Sequence, residues 1–338
     1  MTIYSNEFKP LNSNVMANQP LTGIMLADLA KQKISMLETR RSYGSYLRIK
    51  EIWLTNIEPY IENKDIALYK LSDVDDMVLR MKKDGKSNKT INNAVNRLNM
   101  FFNFAIKKEY VSYNPARNFE WLPTVYEEMN IITWQEFELA MNYEKDYTFK
   151  CLFNTLFWAA MRIGEAKVLT WKDVDLIIGS GKIRIEKHLC QNGTVINGRK
   201  NIARNNRNTV MTKYTVGIDD ELVQMLIDLK RLAQLSEDFL ETDFIFGGKK
   251  VLPPQTIRNH LNYDLERAKL KHIRVHDLRH SAVSYLFNYT NLTVQQIASR
   301  IGDTVDVVLK TYAHFYKNND EIVTNAIKAS KANRKEVL

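Results

Sequence analysis

VHDLRHSAVSYLFNYTNLTVQQIASRIGDTVDVVLKTYAHFY, residues 275–316, is the stretch from which the fold of this chain can be read. At about 100° per residue, His276, Arg279, His280 and Val283 fall on one side of a helix. Leu278, Ala282, Tyr285, Leu286 and Tyr289 fall roughly opposite and can dock on a core. A His and an Arg one turn apart therefore project together from a helix anchored behind them. Thr293 suits the N-cap of a second helix carrying Val294, Ile297, Ala298 and Ile301, which Gly302 ends. Thr304 suits the cap of a third, with Val308, Leu309, Tyr312 and Phe315 or Tyr316 inward at helical spacing.

Upstream, Thr133-Trp134-Gln135-Glu136 has the pattern of a capping box and opens a second domain. Cys151 to Met161, CLFNTLFWAAM, is almost wholly apolar and reads as buried, and Arg162 follows it directly. A guanidinium at the end of a buried helix is costly unless an anion meets it. Glu165, one turn on, could be that anion, giving an internal salt bridge. Lys182 to Cys190 alternates as a strand, Gln191-Asn192-Gly193 signals a turn, and a returning strand lies within Asn208 to Ile218. Helices over 219–235 and 254–268, joined by a turn at Phe244 to Gly247, lead back to the opening stretch.

Residues 1–20 carry no periodicity and read as a lead-in, whereas 21–115 is helical throughout. The expected helices are Ile24 to Met36, Arg40 to Ile57, Val74 to Met81 and Lys89 to Lys108. The second sets Tyr46, Ile49, Trp53 and Leu54 against Arg41, Arg48 and Lys50. In the fourth, Ile91, Val95, Leu98, Phe102 and Ala105 form the apolar stripe. Asn92, Asn93, Asn96 and Arg97 lie off it, beside the basic turn of Lys82, Lys83, Lys86 and Lys89. Asn and Arg side chains there could read base edges or hold phosphates, or simply form a solvated face. Asn114-Pro115 breaks the helical pattern, so a linker is expected over 116–130 and a larger domain over 131–318. A positively charged helical domain, a linker and a larger domain is the layout of a clamp around a duplex.

Composition narrows the partner. The 48 Lys and Arg against 39 Asp and Glu leave a net charge of +9, which favours a polyanion, nucleic acid or an anionic membrane surface, though charge alone fits a merely soluble basic protein equally. No apolar run reaches the roughly 18 residues of a membrane span, and the first twenty residues lack the apolar region of an export signal. Cys151 and Cys190 offer neither a disulfide framework nor a metal-type spacing. A soluble, cytoplasmic protein with nucleic acid as its partner is the expectation.

A His-x-x-Arg pair, a glycine and a terminal helix bearing a tyrosine occur in the order seen in tyrosine recombinases, the phage-type integrases, and residues 275–316 resemble that family's second catalytic box. Met161-Arg162-Ile163-Gly164-Glu165 through Leu169-Thr170-Trp171-Lys172-Asp173-Val174-Asp175 resembles its first box, with Ala159-Ala160 where Thr-Gly is usual. The resemblance implies a mainly α, two-domain fold: a helical core-binding domain, and an α+β catalytic domain with a small antiparallel sheet. It also implies Tyr312 as nucleophile, Arg162 and Arg279 on the scissile phosphate, and His276 as a donor or proton acceptor. The family's lysine lies in the hairpin; Lys200 fits best because Arg207-Asn208-Thr209-Val210 resembles the hairpin's end, with Arg204, Arg207 and Lys213 as alternatives. Asp303 stands where the family has His, and the expected use of its carboxylate is to turn away and cap the last helix. No metal, ATP or other cofactor is implied. The implied partner is double-stranded DNA at inverted-repeat core sites, bound by a homo-oligomer of four protomers.

Past Tyr316, Ile322, Val323, Ala326 and Ile327 give the tail, 319–338, an apolar face suited to docking on a neighbouring protomer, as the family's tails do. Three rival readings fit less of the sequence. A metal site on His272, His276 and His280 is weakened because steps of four drift round a helix and Arg279 would repel a cation. A helix-turn-helix around Gly302 would leave Arg162, His276, Arg279 and Tyr312 without a task. A type IB topoisomerase shares the chemistry, but the clamp layout and the docking tail favour recombination.

Overall fold

The structure is a computed structural model and describes residues 20–40, 43–124, 129–190, 193–197, 199–200, 211–212, 214–312, 324 and 327–328. The chain divides into two compact units, Met1–Glu127 and Glu128–Leu338. Among the described residues there are twelve α-helices and three small antiparallel sheets, so the fold is mainly α with a minor β component.

The first unit is built from α1 (Leu26–Arg40), α2 (Tyr43–Asn56), α3 (Leu71–Lys83) and α4 (Asn88–Lys107). Ser87 caps α4 by accepting from Thr90 N, and the apolar stripe of α4 is its buried face: Ile91, Ala94, Val95, Leu98, Phe101, Phe102 and Ala105 are fully buried. Each large side chain so placed contributes about 1.5–3 kcal/mol, so a Phe102→Ala cavity would cost about 3–5 kcal/mol. On α2, Tyr46, Ile49 and Trp53 face this core as expected, but Leu54 is exposed; Ile52, and Ile57 just past the helix, are buried instead.

The second unit opens on α5 (Trp134–Met141), where Thr133 and Glu136 cap each other. The helices α6 (Tyr147–Trp158) and α7 (Ile163–Ala166) follow, and a short 3-10 turn leads into β1 (Val174–Asp175). The expected long strand over 182–190 is broken at Glu186. Its first part, β2 (Lys182–Ile185), pairs with β1 and with β7 (Tyr214–Gly217); its second, β3 (Lys187–Leu189), pairs with β4 (Val195–Asn197). A third pair, β5 (Arg199–Lys200) and β6 (Met211–Thr212), sets Lys200 opposite Met211.

Next come α8 (Asp220–Ala233), α9 (Pro254–Arg267), α10 (Val275–Tyr289), α11 (Val294–Ile301) and α12 (Val305–Tyr312). The main core gathers Phe137, Phe153, Phe157, Trp171, Ile183, Leu226, Leu261 and Leu278. A second cluster joins Ala160, Val283, Phe287, Ile297, Ile301, Val308 and Tyr312. Helix α10 touches both, so it is buried on two sides rather than anchored on one; Arg279 and Val283 are buried as fully as Leu278, and Tyr289 is exposed.

Candidate active site

Arg162 is carried by the turn between α6 and α7. The chain leaves α6 through Ala160, whose φ of +50° is left-handed and strained for a residue with a Cβ. That turn aims the Ala160 carbonyl at Arg279, whose Nη1 donates to it at 2.5 Å. Glu165, buried, accepts from the Arg162 backbone N at 3.1 Å and from Arg162 Nη1 at 3.3 Å, so the expected local ion pair exists. It leaves Nη2 of Arg162 free of Glu165.

Both arginines then converge on one carboxylate. Arg162 Nη2 donates to Asp303 Oδ1 at 2.5 Å, and Arg279 Nη2 donates to Asp303 Oδ2 at 2.7 Å and to the Ile301 carbonyl at 2.8 Å. Burial works against the Arg162 charge, but Glu165 and Asp303 outweigh it and raise its pKa. The cap expected of Asp303 is made by Thr304, whose Oγ1 accepts from Val307 N at 3.3 Å. The reason is electrostatic. A carboxylate within reach of two guanidiniums gains two charge-assisted hydrogen bonds to cations, against one to an uncharged backbone N–H at a helix end. Gly302, left-handed at φ 60°, ends α11 as expected, and Asp303 N closes the turn on the Ala298 carbonyl. Arg300 fixes this turn from behind, donating to the Trp158 carbonyl at 2.9 Å and to the Gly217 carbonyl at 3.2 Å.

Tyr312 is buried, at 3% exposure, at the end of α12, while Leu309, expected inward, is exposed. Burial pushes the phenol up to about 12, Asp303 adds to the rise, and Arg279 and Arg162 oppose it. The ring nitrogen Nδ1 of His280 lies 2.8 Å from the Tyr312 hydroxyl. The exposed His276 meets His280 edge-on, ring centroids 4.8 Å apart, and desolvation together with Arg279 and Arg162 lowers its pKa. His280 is therefore the site residue that spacing failed to single out as a partner of the tyrosine. The signal was its place on the His276–Arg279 face.

Lys200 lies in β5, and the described structure places its backbone only; Arg204, Arg207 and Lys213 lie outside the described residues. Of the first unit's candidates, Lys82, Lys83, Lys89, Asn93 and Asn96 are exposed, and Arg97 is half-buried. Lys86 lies over the Tyr60 ring, 5.9 Å from its centroid. Arg48 is exposed and pairs loosely with Glu51 at 3.8 Å, and Arg41 lies outside the described residues. Asn92 is a correction: its amide donates to the Leu122 carbonyl at 2.8 Å and accepts from Leu122 N at 3.1 Å, so it holds the chain after α4 instead of facing a partner. Among the described residues no group of three or more His, Cys, Asp or Glu side chains is disposed to hold a metal ion. No described helix is long and apolar enough to cross a membrane.

Comparison with known proteins identifies a family and a fold. Residues 131–319 match the model of the phage integrase family. The ICEBs1 integrase of Bacillus subtilis (strain 168) is 25% identical over 291 residues, spanning 82% of this chain and 75% of that protein. A XerC-like tyrosine recombinase of Caldanaerobacter subterraneus subsp. tengcongensis is 24% identical over 283 residues, 75% of this chain and 71% of the relative. Among solved structures, the Tn1549 transposon integrase in complex with transposon right end DNA superposes with a TM-score of 0.71 at 18% identity, over 91% of this chain and 100% of that one. A lambda integrase tetramer bound to a Holliday junction gives 0.61 at 12% identity, over 88% and 82%.

Proposed function

The chain belongs to the phage integrase family, and from that premise we propose that it is a site-specific DNA recombinase that cuts and rejoins duplex DNA through a 3′-phosphotyrosine. The observation that carries the proposal is the meeting of two guanidiniums on one anion beside a buried phenol. Attack on a phosphodiester builds negative charge on its non-bridging oxygens, and paired guanidinium forks match that charge and its geometry. Asp303 occupies the place such a phosphate would take. A phosphate entering the clamp must displace the carboxylate, since two anions in one site repel.

Tyr312 then attacks phosphorus. With a pKa of about 12 it is ionised to only about one part in 10⁵ at neutral pH, so it must lose its proton during attack. His276, beside the clamp, supplies a neutral imidazole N–H to the phosphate. The hairpin lysine, assigned to Lys200, protonates the departing 5′ oxygen. One phosphodiester is exchanged for another, so the bond energy is kept and no ATP is consumed. The exposed Lys82, Lys83, Lys89, Asn93 and Asn96 of the first unit are proposed to contact DNA, which suits the net charge of +9. The lambda integrase relative assembles as a tetramer on a Holliday junction, and the same assembly is proposed here, on inverted-repeat core sites.

The test is adduct trapping. Incubated with a nicked duplex carrying its own attachment sequence, the protein should form an SDS-resistant complex in EDTA and without ATP. A nick resealed or hydrolysed with no covalent complex at any time would refute the proposal.

A further inference from the structure

The Tyr312 hydroxyl must send its proton somewhere, and the histidine that spacing favours, His276, is not the one recorded against it. His280, on α10, sets Nδ1 2.8 Å from the hydroxyl of Tyr312, on α12. In its neutral, Nε2-protonated tautomer, His280 offers Nδ1 as the acceptor for the phenol hydrogen at that distance. The His276 ring, exposed to solvent, packs edge-on against His280 at 4.8 Å, interplanar angle 84°.

We infer that His280, not His276, takes the Tyr312 proton during attack on the scissile phosphate. The inference rests on the reading of Tyr312 as nucleophile. In the forward step the oxygen–phosphorus bond forms as the phenol O–H bond breaks, and the proton passes to Nδ1. The 5′ oxygen leaves with the phosphorus–oxygen electron pair and is protonated by the hairpin lysine. On rejoining, the 5′ hydroxyl attacks, the tyrosine oxygen departs, and the His280 imidazolium returns its proton. Around His280 stand His276, Asp277 and Arg279 of α10, Arg274 at its N-cap and Tyr312 of α12. Burial first, with His276, Arg279 and Arg274 acting against Asp277, brings its pKa down to about 4, so its lone pair is free across the working range. A phosphodiester anion in the clamp raises that basicity, and the phenol grows more acidic as its oxygen bonds phosphorus, so transfer accompanies bond formation.

The test is single-turnover cleavage of a nicked duplex across pH by wild type, His280→Asn, His280→Gln and His276→Gln. Asparagine offers an amide oxygen near the place of Nδ1, which can accept the hydrogen bond but not the proton. His280→Asn should bind DNA and melt like wild type, yet cleave about 10²–10⁴-fold more slowly at neutral pH. Its rate should climb about tenfold per pH unit, because the reaction then waits for phenolate; the wild-type profile should not. His280→Gln should give the same slope should the shorter side chain prove unstable. Overturning results are a wild-type rate in His280→Asn, or a constant slowing at every pH, which marks a structural role. The tenfold-per-unit slope in His276→Gln alone would move the role to His276. A Tyr312-dependent adduct with unaffected His280→Asn overturns this assignment alone, whereas an adduct surviving Tyr312→Phe overturns the functional proposal with it.

Discussion

Asp303→Asn isolates the clamp. In the DNA-free protein the carboxylate makes one charge-assisted bond to each arginine, at 2.5 and 2.7 Å, with its side chain only 15% exposed. Two such bonds are worth about 3–6 kcal/mol against leaving the groups unpaired. The loss is smaller, because Arg162 keeps Glu165, Arg279 keeps two carbonyls, and the new amide oxygen, though uncharged, still accepts one bond from a guanidinium. A net destabilisation of about 2–3 kcal/mol remains, or about 4–12 °C in Tm for a unit of this size. A thermal melt in chloride buffer reads it directly. Sulfate should then return most of the lost Tm to Asp303→Asn while moving wild type little, because in wild type the anion must first evict the carboxylate. A variant melting within about 2 °C of wild type in chloride, or responding to sulfate no more than wild type does, would refute the phosphate-mimic account.

Asp264 is 1% exposed, and burial beside Glu144 pushes its carboxyl up to about 8. The folded state therefore holds this proton more tightly than the unfolded chain, so stability is full below about pH 4 and falls as pH rises through 8. Asp264→Asn should gain Tm relative to wild type between pH 5 and 9, and parallel melting curves would exclude it. Ala160→Gly should raise stability by about 1 kcal/mol, because φ +50° costs nothing for glycine; a lower Tm would show that the methyl group's packing outweighs the strain. Deleting residues from Asn319 onward should spare half-site binding but weaken cooperative binding to the full site. Unchanged cooperativity in gel-shift titrations, with a lowered Tm, would instead place the tail on its own unit.

The helical frame was legible because it is written locally. The stripe of α4, the Thr133 and Thr293 caps and the Gly302 stop all follow from spacing within one or two turns. So was the order Arg162, His276, Arg279, Tyr312, which motif spacing carries. What sequence could not supply was contact across long separations. Asp303 meets Arg162 across 141 residues, and from its neighbours alone it reads as a helix cap. Asn92 reads as a free polar side chain until Leu122, thirty residues on, turns back to it. The two-sided burial of α10 was hidden because an amphipathic pattern predicts one core, and this helix serves two. His280 is the same case: its partner Tyr312 is 32 residues away on another helix.

The central claim is that Tyr312 makes the covalent bond to DNA. Digesting the trapped complex with trypsin and nuclease, then sequencing the nucleotide-bearing peptide by mass spectrometry, tests it most directly. Lys310 and Lys317 bracket a peptide, Thr311 to Lys317, that holds both Tyr312 and Tyr316, so fragmentation must place the modification. The account predicts a 3′-nucleotidyl phosphate on Tyr312, absent from Tyr312→Phe and present in Tyr316→Phe. A nucleotide on Tyr316, or a DNA end joined through its 5′ phosphate, would contradict it.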